Sequence, residues 1–190
     1  GVLAGVEGGR AISGVEDVRL WPALEQDLND LSKDLHLFYF DKDGYSFKEL
    51  RKSICASLGH GTIQPTYPLV RPLRVIKDAW EIEQLQQANN YAIAAHKRAF
   101  QFAVQALRSG KSLYEYQVAA EIYHEFDRQG LAWSYPAIVA GGNNACVLHY
   151  TAQRSALRGD DLMLIDAGCE VNGYAADVTR VYPLSGMFSS

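Results

Sequence analysis

The dipeptide Asn172-Gly173 constrains this chain more than any other feature. It stands between the apolar run Leu162-Met163-Leu164-Ile165 and the β-rich run from Tyr174 to Tyr182. Asn-Gly accepts the two left-handed backbone conformations of a type I′ turn, so strands on either side are directed into a two-residue hairpin. With these two residues as the loop, Val171 lies opposite Tyr174, and paired residue numbers keep a constant sum along the ladder. Asp166 then comes opposite Thr179, and Asp177 opposite Gly168. Side chains alternate faces with period two, so Thr179 and Asp177 share a face. Asp166 and Asp177 become diagonal neighbours on it, within reach of a common ion.

Two acids on one face of a mostly apolar hairpin repel each other and lose hydration. Without help, one takes up a proton or the strands rearrange. A divalent cation removes the conflict, and a pair of cations about 3.5–4 Å apart needs a bridging carboxylate of this kind. Hard oxygen donors with an occasional imidazole suit manganese, cobalt or zinc better than a thiolate-seeking metal. The competing reading makes Asp166 a turn cap and Asp177 a surface partner of Arg180. A register shift of one residue would separate the acids, so spacing alone leaves both readings open.

The rest of the chain supplies a frame for this hairpin. Leu20 to Leu31 has roughly helical apolar spacing, and Leu35 to Phe40 reads as a short buried strand. Ser46 to Leu58 is expected as a helix. The Gly- and Pro-rich stretch from Gly59 to Pro72 is expected as a loop holding a domain boundary near residue 70. Asp78-Ala79-Trp80-Glu81 has the form of a capping box. It opens a helix with Ile82, Leu85, Ala92, Ala95, Ala99, Phe102 and Ala106 on its apolar face, ending at Gly110. Ser112-Leu113-Tyr114-Glu115 has the same form and opens a helix through Val118, Ile122 and Phe126 to Gly130. Ala137-Ile138-Val139-Ala140 reads as a further strand.

Composition excludes several classes. Among 190 residues, 22 acidic and 18 basic side chains give a net charge of −4, without the basic face that phosphate binding needs. No apolar run approaches the roughly 20 residues of a membrane span, so neither nucleic acid nor membrane is an expected partner. Cys55, Cys146 and Cys169 are odd in number and form no CxxC pair, which fits free thiols in a reducing, cytoplasmic setting. The N-terminus has no basic leader and no apolar core of a signal peptide, so the chain is expected to be processed or to begin inside a longer protein. Gly141-Gly142-Asn143-Asn144 is not followed by the Lys-Ser/Thr of a phosphate loop. No G-x-S-x-G elbow is present either.

From Ile76 to Phe188 the motifs, in order, resemble those of aminopeptidase P, the Xaa-Pro aminopeptidase branch of the pita-bread metallopeptidases. They are Lys77-Asp78 with Glu81-Ile82, Tyr135 with Ile138-Val139, Gly142-x-Asn144-Ala145, and Leu148-His149-Tyr150-Thr151. The most specific run is Gly159-Asp160-Asp161-Leu162, then Leu164-Ile165-Asp166-Ala167-Gly168-Cys169-Glu170, then Gly173-Tyr174-Ala175-x-Asp177-Val178-Thr179-Arg180. The resemblance implies an α/β (α+β) fold. Residues 1–70 would be the C-terminal part of a creatinase-like N-terminal domain, and residues 71–190 the first half of a pita-bread catalytic domain.

By the same resemblance, Asp166 would bind one metal, Asp177 would bridge two divalent ions, with Mn(II) the expected metal, and His149 would assist substrate binding and the transition state. Tyr135 would join His149 at the substrate, although by itself it reads as a packing residue. His149 read alone is a core histidine bonded to a backbone carbonyl. The substrates implied are peptides with proline in the second position, and the full-length protein would be a homo-oligomer. The family completes its site with a His and two Glu from the second half of the domain. His36, His60, His96 and His124 cannot substitute, His96 and His124 reading as half-exposed helix residues. The chain is therefore expected to be truncated at both ends and inactive alone. A non-catalytic pita-bread binding module, a proline dipeptidase and a methionine aminopeptidase are the alternatives.

Overall fold

A computed structural model describes residues 5–23, 26, 27, 30, 37–39 and 62–188. The chain divides into two compact units, Gly1–Ile76 and Lys77–Ser190. In the first, helix α1 (Val6–Ser13) ends on Gly14 in the left-handed conformation. Strand β1 (Leu37–Tyr39) pairs in parallel with β2 (Thr62–Gln64), and helix α2 (Tyr67–Val75) follows. The loop expected from Gly59 to Pro72 is therefore a strand and a helix over most of its described length. Pro68 sits in the first turn of α2, where its missing N–H leaves no bond unmade, so a Pro-rich string starts a helix here. The boundary expected near residue 70 falls inside that helix, and the two units part after Ile76. In the stretch expected as helix from Leu20 to Leu31, Trp21–Ala23 forms one 3-10 turn, and Gln26, Asp27 and Asp30 are helical. The helix expected over Ser46 to Leu58 lies outside the described residues, as do Cys55, His36 and His60.

The second unit is built on helix α3 (Ala79–Arg108). The capping box at its start is formed: Asp78 accepts from the Glu81 N–H at 2.8 Å, and Glu81 accepts from the Asp78 N–H at 2.7 Å. Its buried seam is Ala88, Ala92, Ala95, Ala99 and Ala103, with Gln84 and His96. Ile82, expected on the apolar face, is exposed. Small side chains along this seam let other elements approach the helix backbone closely. His96, expected half-exposed, is 2 % exposed.

Strand β3 (Leu113–Tyr114) leads into helix α4 (Glu115–Asp127), which is tied to α3 by the Arg98–Glu121 ion pair at 2.7 Å. The helix exists as expected, but its expected cap does not. Tyr114 occupies the cap position and its N–H donates to Gln117 Oε1 at 2.9 Å. Ser112 is exposed, and Glu115 turns inward instead of folding back along the chain.

Strand β4 (Ala132–Trp133) and β5 (Ile138–Gly141) precede a 3-10 turn at Gly142–Cys146, and β6 (Ala156–Leu157) pairs with β3. The hairpin then follows as β7 (Leu162–Ala167), β8 (Cys169–Val171), β9 (Tyr174–Ala175) and β10 (Val178–Pro183). Asn172 and Gly173 have φ of 49° and 84°, as a type I′ turn requires. Val171 pairs with Tyr174 and Thr179 with Asp166, so the expected register holds from the tip to Pro183.

What the register does not announce is a bend at Gly168. Below it, β7 is the central strand of a sheet ordered β10-β7-β5; above it, β8 is the central strand of a second sheet ordered β4-β8-β9. A Cβ at Gly168 would lie 1.9 Å from the Ala176 carbonyl oxygen, so the crossing strand comes closer than any side chain permits. Met163, Ile165 and Ala167 of β7 are buried and belong to the core with Val118, Ile122 and Phe126 of α4. The alternate positions Leu164 and Asp166 face the other way.

Candidate active site

The open face of the β10-β7-β5 sheet carries the chemistry. Asp166 sits in its central strand, opposite Thr179 on one side and Ile138 on the other. Asp177 lies where the paired strands bend, next to Val178 opposite Ala167. The two carboxylates converge on one atom: the Tyr135 hydroxyl is 2.5 Å from Asp166 Oδ1 and 3.0 Å from Asp177 Oδ1. The expected meeting of the acids is thus formed. Arg180, the alternative surface partner of Asp177, instead donates to the Thr179 carbonyl at 2.7 Å.

Tyr135 reaches the acids because Ile138 of β5 is in register with Asp166 of β7, which places the segment just before β5 beside them. Burial, followed by the bonds to Asp166 and then Asp177, raises the Tyr135 pKa well above the usual phenol value. The hydroxyl stays protonated and acts as a donor to the acid pair, not as packing alone.

His149 is exposed, so it is not a core histidine. It lies in the left-handed conformation at φ 53° and lines, with Tyr135, Pro136, Ile138, Thr151, Asp166 and Asp177, a cleft of about 330 Å³. An adjoining hollow of about 340 Å³ extends past Ala145, Val147, Leu148 and Leu164, so the polar floor continues into an apolar wall. All four residues singled out from sequence therefore meet in one place.

The hairpin is held from its tip. Tyr174 donates to Glu81 Oε1 at 2.8 Å, Asn172 Nδ2 donates to Gln84 Oε1 at 2.8 Å, and the Trp80 and Tyr174 rings meet edge to face. Behind the acids, His96 Nδ1 lies 3.1 Å from the Tyr182 hydroxyl, and Tyr182 stacks on Phe100. Burial lowers the His96 pKa, so a neutral imidazole backs the sheet. Sequence reasoning missed Gln84, His96 and Glu115. Each is a polar side chain on a helix whose inward direction depends on contacts with residues far along the chain.

The donor set fits a hard divalent cation. Two carboxylates lining one cleft would supply oxygen ligands, and Cys169 offers no competing thiolate. It is buried, its Sγ 3.5 Å from the Ala88 carbonyl, and burial pushes its thiol up to about 11. Among the described residues no group of three or more His, Cys, Asp or Glu could hold a metal.

Residues 83–190, more than half of the chain, match the model of metallopeptidase family M24. The chain belongs to that family. It is 35 % identical over 187 residues to the Xaa-Pro aminopeptidase of Escherichia coli K12, covering 93 % of this chain and 41 % of that protein. A Xaa-Pro aminopeptidase of Haemophilus influenzae is 42 % identical over 123 residues, or 64 % of this chain and 27 % of the relative. Among solved structures, proline aminopeptidase P II of Yersinia pestis superposes with a TM-score of 0.85 at 32 % identity, covering all of this chain and 44 % of that one. The fold is thus that of the pita-bread aminopeptidase P proteins over the part compared. This M24 chain spans less than half the length of the relatives it matches.

Proposed function

We propose that this chain forms one wall of the active site of a metal-dependent Xaa-Pro aminopeptidase, which cleaves the bond between an N-terminal residue and a proline in second position. The reading is carried by the convergence of Asp166 and Asp177 on the Tyr135 hydroxyl at the floor of an open cleft. Membership of a metallopeptidase family and likeness to proteins named Xaa-Pro aminopeptidase support it.

In this reading the acids would hold two divalent ions, Mn(II) foremost among metals that favour oxygen donors. Asp166 would bind one ion and Asp177 would bridge both. Such ions polarise a substrate carbonyl and lower the pKa of bound water. The chain's own residues do the remainder. Tyr135, held protonated, keeps the two carboxylates turned toward each other. His149, exposed at the rim of the cleft, would donate a hydrogen bond to the substrate carbonyl as negative charge develops there. Pro136 and Ile138 give the peptide an apolar surface. The reading includes a cytoplasmic location, supported by the free thiols of Cys146 and Cys169. It also includes a homo-oligomeric full-length protein, which light scattering would test.

The deciding experiment is metal analysis of the full-length protein carrying Asp177→Asn. The bound metal pair should be lost and Xaa-Pro cleavage with it. Two ions still tightly bound would remove the bridging role and the reading built on it.

A further inference from the structure

We infer that Glu115 is the positioning residue that sets the place of His149 over the cleft. The inference rests on the reading of His149 as a group that acts on substrate. His149 is exposed, and its neighbours Val147 and Leu148 are 55 % and 85 % exposed, so this segment draws little support from packing. A side chain placed that way keeps a fixed geometry only if the chain on either side is anchored.

Glu115 is that anchor. It is the first residue of α4 and 0 % exposed. Its Oε1 accepts from the Gly141 N–H and from Asn144 Nδ2, each at 2.9 Å. Its Oε2 accepts from the Tyr150 hydroxyl at 2.7 Å and from the Ser155 N–H at 3.0 Å. These four donors lie before, beside and after His149. Asn144 Nδ2 also reaches the Tyr150 hydroxyl at 3.0 Å and Ser155 Oγ at 2.9 Å, tying the ends of the loop to each other. Backbone bonds from the Glu115 and Tyr116 N–H groups to the Ser155 and Gln153 carbonyls fasten the returning strand to the same helix end.

Three of the four partners are N–H donors and the Tyr150 hydroxyl donates as the fourth, an arrangement that an acceptor-only carboxylate satisfies in full. The amide of a glutamine would turn an NH2 group against at least one N–H donor, such as that of Ser155. Buried donors left unpaired would be relieved by movement of the loop. The inward turn of Glu115, which deprives the helix of its expected capping box, is therefore what holds the histidine-bearing loop.

The test is a double-mutant cycle on kcat/KM of the full-length enzyme for a Xaa-Pro peptide, using Glu115→Gln and His149→Ala, with metal content measured in each variant. Displacing a group by about an ångström costs up to about a hundredfold, so Glu115→Gln should lower kcat/KM about tenfold with bound metal unchanged. In the His149→Ala background it should add a loss of roughly twofold at most, because coupled residues are not additive. A merely structural role would reduce the folded fraction equally in both backgrounds, and equal losses would overturn the inference. If His149→Ala alone leaves kcat/KM unchanged, the role of His149 fails first and takes the inference with it. Should Glu115→Gln not fold, Tyr150→Phe removes one donor and runs the same cycle. A loss of about threefold that vanishes in the His149→Ala background supports the inference, and one that persists overturns it.

Discussion

Tyr135 shows how much one hydroxyl can carry. Its single proton faces two carboxylates, and replacing it by Phe leaves those acids on one face with no donor between them. Because Asp177 is exposed and water can compensate, the loss of stability should be about 1 kcal/mol for Tyr135→Phe, read from urea unfolding of the chain. The two described cysteines should differ in the opposite sense. Cys169 is buried with its thiol pKa raised, while Cys146 is exposed. At pH 8, alkylation followed by peptide mass spectrometry should label Cys146 in the folded protein and Cys169 only after unfolding. Spacing and turn chemistry pointed to Asp166 and Asp177, because their relation is local to one hairpin. Tyr135 could not be joined to them by spacing. Its contact depends on β5 pairing with β7 at Ile138 and Asp166, a register that a single sequence does not encode in any nearby turn.

Among the elements, the bent hairpin is the most sensitive. Gly168→Ala would drive a methyl group into the Ala176 carbonyl, and overpacking against backbone should cost about 2–4 kcal/mol. Gly159→Ala meets nothing within 4 Å and serves as the neutral control in the same denaturation series. Helix α3 offers a second case, because Glu81 serves two elements at once. It closes the cap on Asp78 and receives the Tyr174 hydroxyl. Glu81→Ala should therefore lose about 2 kcal/mol, one part for the cap and one for the hairpin bond. Tyr174→Phe should recover only the second part, which separates the two by calorimetry. Caps of α3 and the turn at Asn172 were legible because each is written within a few consecutive residues. The box expected at Ser112 was not, since Glu115 answers to donors between Gly141 and Ser155. The residues that fit the local motif are the same, and a distant polar demand decides their use.

At the scale of the whole molecule, the proposed reading gives the two acids only part of the ligands that a metal pair would need, since the described residues hold no group of three or more His, Cys, Asp or Glu that could hold a metal. The purified 190-residue chain supplied with Mn(II) should show no cleavage of a Xaa-Pro peptide above the metal-only rate, and chelator-sensitive turnover would contradict this. The two helices and the longer strands of the second unit were readable from periodicity and caps, whereas the two-residue strands β3, β4 and β6 were not. The first unit was less readable, because prolines that suggest a loop at Pro68 and Pro72 are tolerated within α2. The bonds that seat the hairpin tip also bear on how the molecule assembles in time. A hairpin with an Asn-Gly turn closes in about 1–10 μs. Glu81 and Tyr174, however, are 93 residues apart, and Gln84 and Asn172 are 88. Closing such long segments is slow, because chain entropy is lost before the contact rewards it. The turn that sets the register of the acids is therefore local, whereas the bonds that seat the hairpin tip on α3 join residues far apart in the chain.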